Sequence, residues 1–282
     1  MNPFIQKIRN IPAGIKTTGK CLLGVVVFIW LIIAAIRIDN ALFNWNTTTT
    51  YGSVLSLTDS CNVYGINIHG DIVEYATDGM LTEMDDVTQS EDIVAMINEI
   101  NNNDQIKGVL FEIDSYGGYP VAGEEIAHAI QSITKPNIAM IRSGGASAAY
   151  MIASSADRVI ASKYSDVGGI GVTASYLQSN NSGQFIDLSS GKYKDVGNPD
   201  RPITDEERSV ILQDVVKAHK QFIEDVAEYR GMTIDQVSMF ADGATMNGLD
   251  ALQKGLIDGI GSWNEAKQYL KEQIGTDVDI CW

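Results

Sequence analysis

The stretch KGVLFEIDSYGGYPVAGEEIAHAIQSITKPNIAMIRSGGASAAY, residues 107–150, meets the same junction twice. An apolar strand runs into a glycine pair, and a helix follows. Residues 107–113 (KGVLFEI) read as a buried strand, 114–120 as a turn, and the segment to about Ile133 as a helix. Residues 137–141 form the next strand, 146–155 a helix of small residues, and 158–161 a further strand. Strands separated by helices of this length pair in parallel through right-handed crossovers. Ligand sites in such sheets gather where strands end and helices begin.

Outward from this centre the alternation continues. Residues 63–72 are a strand, and 91–101 a helix with apolar Ile93, Val94, Met96, Ile97 and Ile100. After Asp166 comes a glycine-rich stretch and a loop-like region to Pro202. Thr204-Asp205-Glu206-Glu207 is a capping-box start for a long helix to about Arg230. Shorter helices are expected over 235–240 and 249–254, and a terminal one over 264–274. No internal repeat occurs, so residues 61–282 read as one undivided α/β domain.

Charge is unevenly spread. The chain carries 20 basic and 36 acidic residues, and its first 40 residues hold five of the basic ones and one acidic one. The remainder therefore has 15 basic against 35 acidic residues. A body that acidic repels phosphate backbones, which argues against nucleic acid as a partner. Residues 21–36 (CLLGVVVFIWLIIAAI) carry no charge and are flanked by Lys20 and Arg37, whose stems can extend the apolar length towards the headgroups. We read residues 1–20 as a cytoplasmic basic N-terminus and 21–37 as a single transmembrane anchor. Residues 38–60 follow as a polar, Thr-rich linker. The basic flank predicts a cytoplasmic N-terminus and an extracytoplasmic domain. Cys61 and Cys281 sit at opposite ends of that domain; such a compartment permits a disulfide, but two cysteines alone give no geometry, and free thiols are the expectation.

Two turns offer chemistry. Asp114-Ser115-Tyr116-Gly117-Gly118 brings backbone N–H groups close to any ligand. Ser143-Gly144-Gly145-Ala146-Ser147-Ala148-Ala149-Tyr150 places Ser147 in the first turn of a helix, where unpaired N–H groups favour an oxyanion. A serine hydroxyl needs a base. His69, His128 and His219 are not tied to Ser147 by any motif. Lysine is the other option, since an amine stripped of water favours its neutral form. Lys192 and Lys194 both qualify, and because they face the same way in an extended segment, periodicity does not choose between them.

Several motifs, taken in order, resemble the signal peptide peptidase A family of serine peptidases. They are Ser115-Tyr116-Gly117-Gly118, Ala146-Ser147-Ala148-Ala149-Tyr150, Gly168-Gly169-Ile170-Gly171-Val172 and Ser190-Gly191-Lys192-Tyr193-Lys194-Asp195. The likeness continues through 202–208, 222–231 (FIEDVAEYRG), 241–243 and 251–261 (ALQKGLIDGIG). It implies a Clp protease/crotonase-like spiral domain, α/β in class, behind the N-terminal transmembrane helix. It implies Ser147 as nucleophile and Lys194 as general base, with oxyanion donors from Gly117 or Gly118 joined by Ala148. No metal or cofactor is called for. It further implies a homo-oligomeric ring in which Ser and Lys of neighbouring protomers meet. Substrates would be residual signal peptides or unfolded secreted polypeptides. Two departures stand out: Tyr116 where the family usually has Pro, and Gly169 where a serine commonly helps hold the lysine. The second leaves a catalytically weakened or inactive membrane-anchored scaffold of the same fold as the alternative. An acyl-CoA enzyme on the same fold is disfavoured by the anchor and by Lys194.

Overall fold

The computed structural model describes residues 61–76, 86–176, 189–199 and 201–282. The expected anchor at 21–37 and the linker at 38–60 lie outside them. No helix among the described residues is long and apolar enough to cross a membrane.

The chain order is β1 (Val63–Val73), β2 (Val87–Gln89), α1 (Ser90–Asn101), β3 (Gly108–Gly118), α2 (Pro120–Gln131), β4 (Asn137–Ala146) and α3 (Ala148–Ser154). Then come β5 (Val159–Ala161), β6 (Asp166–Gly168), α4 (Asp205–Tyr229), α5 (Ile234–Ser238) and β7 (Thr245–Asn247). The remainder is α6 (Gly248–Gln253), β8 (Gly259–Ile260), α7 (Trp263–Ile274) and β9 (Ile280–Cys281). The sheet runs β2-β1-β3-β4-β5-β8 with every neighbouring pair parallel, as the strand–helix alternation predicts. Short β6 extends β4 in parallel and pairs antiparallel with β7.

Both faces of the sheet are covered, and the period-2 alternation of the strands shows which side chain goes where. Phe111, Ile113, Ala139 and Ile141 join Ile97, Ile126 and Ile130 of α1 and α2 in the larger core. Their neighbours Leu110, Ile138 and Met140 point the other way and meet Ala266 and Leu270 of α7. Tyr150 of α3 is wholly buried, and its hydroxyl donates to the carbonyl of Leu256 at 2.7 Å. That bond ties the short helix to the C-terminal third of the domain.

Helix α4 begins where its capping box predicts and ends at Tyr229, next to the expected end at about Arg230. The Thr204 hydroxyl accepts from the N–H of Glu207 at 3.2 Å, and the Glu207 carboxylate accepts from the N–H of Thr204 at 2.9 Å. The cysteines depart from expectation: Cys61 and Cys281 form a disulfide. Strand β9 pairs with the start of β1, at Val63 with Ile280 and Tyr64 with Cys281, so the fold brings the two sulfurs together across 220 residues.

Candidate active site

Strands β3 and β4 each run several residues past their expected ends, and this carries both glycine motifs to the same edge. Their register breaks between Ile113 and Ser115, so that Ser115 pairs with Gly145. The carboxylate of Asp114 holds the excursion of β4 by accepting from the N–H groups of Ser143 and Gly144, both at 3.1 Å. Tyr116 lies over Gly144, where a methyl group would come within 3.0 Å of its ring, and its hydroxyl donates to Asp166 at 3.0 Å. This tyrosine, at a place where the resembled family usually has proline, thus links the first turn to β6.

Ser147 sits at the N-cap of α3, immediately before the first helical residue, and not within the first turn as the sequence suggested. Its φ of 54° and ψ of −129° make it the one non-glycine residue with positive φ among those described. Such backbones cost of order 1–3 kcal/mol and persist where the surroundings over-determine them. Here the N–H of Ser147 donates to the carbonyl of Gly168 at 2.8 Å, and its carbonyl accepts from the N–H groups of Tyr150 and Met151 at 2.9 and 3.0 Å. A sharp strand-to-helix turn of this kind presents a side chain outward from the sheet edge.

The Gly117–Gly118 turn closes over that position. Gly117 has φ of 112°; a methyl group on it would fall 2.8 Å from Cβ of Ser147 and 3.1 Å from the nitrogen of Ala148. Its own N–H donates to Oγ of Ser115 at 3.0 Å, and that hydroxyl in turn donates to the carbonyl of Gly70 at 2.6 Å. Gly118 is exposed and, with Ser147 and Ala148, lines a cavity of about 850 Å³. Gly169, just after β6, abuts the site: with φ of 57°, a side chain there would approach the nitrogen of Ser147 and Cγ2 of Thr245, each at 3.3 Å.

The far wall comes from α4, and it brings a residue that sequence reasoning passed over. His219 lines the same cavity as Ser147, with Nε2 buried and without a hydrogen-bond partner among the described residues. Seventy-odd residues of chain separate the two, so only the packing of α4 joins them. His69 is also buried without a partner at Nε2, but in β1, away from the cavity lining; His128 is exposed on α2.

Lys194 stands elsewhere, on an exposed turn, and does not line the Ser147 cavity. Its amine has no ion-pair or hydrogen-bond partner among the described residues. Lys192, the rival left open by periodicity, is engaged: its amine pairs with Glu206 at 2.5 Å, and Glu206 also accepts from the hydroxyl of Tyr193 at 2.8 Å. The turn is clamped by Arg201. Its guanidinium donates to the Asp195 carboxylate at 2.9 Å and carbonyl at 2.8 Å, and to both oxygens of Glu207 at 2.9 and 2.5 Å. The hydrogen bonds from Arg201, aided by the N–H of Thr204, hold the Glu207 carboxyl down at about 2.

The chain matches the model of peptidase family S49 over residues 129–277 and that of Clp protease over residues 72–165. It belongs to peptidase family S49. A candidate protease of Methanocaldococcus jannaschii is 32% identical over 186 residues, 64% of this chain and 60% of that protein. A candidate signal peptide peptidase SppA of Enterococcus faecium is 32% identical over 193 residues, 65% of this chain and 56% of that protein. Protease 4 of Haemophilus influenzae is 27% identical over 223 residues, 77% of this chain and 35% of the relative. This S49 chain thus spans little more than half the length of the first two relatives. Its α/β fold is of the Clp protease type, as the second family match and the parallel sheet agree.

Proposed function

We propose that this S49 protein is a membrane-anchored serine endopeptidase whose active site is completed between two copies of the chain. The observation that carries the reading is the strained backbone of Ser147, held open to a cavity between the Gly117–Gly118 turn and the first N–H groups of α3. Lys194 acts as general base, supplied by a neighbouring copy, because among the described residues of one chain it lies outside the cavity with its amine unpaired.

In the reaction, the unprotonated amine of Lys194 takes the hydroxyl proton of Ser147 while Oγ bonds to the peptide carbonyl carbon. The N–H groups of Gly118 and Ala148 stabilise the oxyanion; Gly117 is spent on Ser115 and serves by letting the turn approach. The C–N bond then breaks, the leaving amine takes the proton from Lys194, and water repeats the sequence to release the acid. Extended chains are the fitting substrates, among them residual signal peptides and unfolded secreted polypeptides.

Membrane anchoring rests on residues 21–37. An extracytoplasmic location for the domain is supported by the basic residues before the anchor and by the Cys61–Cys281 disulfide, which suits an oxidising compartment.

The test uses the full-length chain in detergent with casein as substrate. Ser147→Ala and Lys194→Ala should each lose activity by several orders of magnitude, while His219→Ala keeps most of it. Mixing the two inactive variants and allowing exchange should restore part of the activity, since some interfaces then pair an intact Ser147 with an intact Lys194. Retained cleavage by Ser147→Ala would sink the assignment. Loss in His219→Ala with full activity in Lys194→Ala would move the base to α4. No Ser147 adduct with a fluorophosphonate would favour the scaffold alternative.

A further inference from the structure

The charged lining of the Ser147 cavity is dominated by carboxylates: Glu124 from α2, Glu224 and Asp225 from α4, and Asp242 ahead of β7, with no lysine or arginine among the lining residues. Two of these are already engaged. Glu224 pairs with Lys220 at 3.4 Å, and Asp242 accepts from the N–H of Ala244 at 2.9 Å. Glu124 and Asp225 have no ion-pair or hydrogen-bond partner among the described residues. Burial pushes the Asp225 carboxyl up, and the negative charge of Glu124 pushes it further, with exposed His128 acting in the opposite direction.

The same cavity is also lined by apolar Val121, Met151 and Phe222. The cavity therefore offers both hydrocarbon surface and anionic groups. Two like charges on a partly dehydrated wall repel, and an arriving cation relieves that repulsion. A lysine or arginine side chain matches both parts, since its methylene stem packs on apolar surface while its head seeks charge. The buried, unpartnered Nε2 of His219 on the same wall adds a polar group still without a partner.

We infer that the Ser147 cavity selects polypeptide segments bearing a lysine or arginine beside the bond to be cut, with the cationic head received by Glu124 and Asp225. This rests on Ser147 being the peptidase nucleophile, but the pocket can be tested without turnover.

The first measurement is binding of fluorescent decapeptides to full-length Ser147→Ala protein in detergent, comparing one central lysine with norleucine, which keeps the hydrocarbon stem and lacks the amine. The lysine peptide is expected to bind about tenfold tighter or more at low salt, and the advantage to fall below about threefold in Ser147→Ala carrying Glu124→Gln and Asp225→Asn. Equal or tighter binding of the norleucine peptide overturns the inference, as does a lysine advantage that survives the two neutralising changes. The second measurement maps cuts in casein made by the native chain. Cuts gathered near Lys and Arg support the pocket, and cuts gathered near aliphatic residues overturn it. A lysine advantage in binding with no cleavage at all leaves the pocket standing and removes the peptidase reading instead.

Discussion

The backbone N–H of Ser147 donates to the carbonyl of Gly168 at 2.8 Å, so the unfavourable conformation of the nucleophile candidate is held from β6, a three-residue strand twenty positions downstream. β6 is itself secured on both sides, to β4 and to β7. The rigidity of the site is therefore a property of the sheet edge and not of the short helix it precedes.

Gly117→Ala tests that packing directly. The added methyl group falls 2.8 Å from Cβ of Ser147 on a backbone with φ of 112°. The core is untouched, so folding should survive, while the rate of Ser147 modification by a fluorophosphonate should fall about 100-fold, as expected when a reacting group is displaced by about an ångström. Unchanged labelling would show that the turn does not constrain the nucleophile.

Arg201 should act on Lys194 through Asp195. In Arg201→Gln the turn at 191–197 loses its clamp, and casein turnover should fall about 100-fold with little change in KM. Labelling of Ser147 itself should change far less in the same variant. A proportional loss in both would mean that Arg201 merely supports folding.

The same clamp predicts a pH dependence. Glu207 has its carboxyl lowered from 4.5 to about 2, so its contribution is fully present above about 4.5 and is lost as pH falls through about 2. The melting-temperature gap between the native chain and Glu207→Gln should be constant from pH 7 down to about 5 and shrink below that. A gap that grows in acid would contradict the arrangement.

Reduction of the Cys61–Cys281 disulfide should lower stability by about 2–4 kcal/mol, because the bond closes a long loop in the unfolded chain. For a domain of this size that corresponds to a drop of roughly 5–10 °C in Tm. Calorimetry with and without reductant, and on Cys61→Ser with Cys281→Ser, measures it.

Arg230 is half-buried and donates to both oxygens of Asp258, at 2.6 and 3.1 Å, while Asp258 also accepts from the N–H of Val159 at 2.7 Å. Arg230→Ala strands that carboxylate and should cost about 2–4 kcal/mol in urea unfolding. A change below about half a kcal/mol would mean water replaces the guanidinium at little cost.

The strands, the helices and the place of Ser147 at a strand-to-helix junction could be read from residues 107–150, because hydrophobic period and glycine pairs act within a few residues of themselves. The capping box at Thr204 was legible for the same reason. Strands β6 to β9 were not, since two or three residues carry no period; each exists only because a distant strand offers it hydrogen bonds. The disulfide, the engagement of Gly117 by Ser115, and the arrival of His219, Glu124 and Asp225 around Ser147 likewise depend on how α2, α4 and β1 pack. Local sequence determined which backbone each segment prefers and which strand-to-helix junction would carry the serine. Tertiary structure decided what faces that serine, because contacts between residues far apart in the chain are set by the burial of whole elements and leave no periodic trace in the sequence.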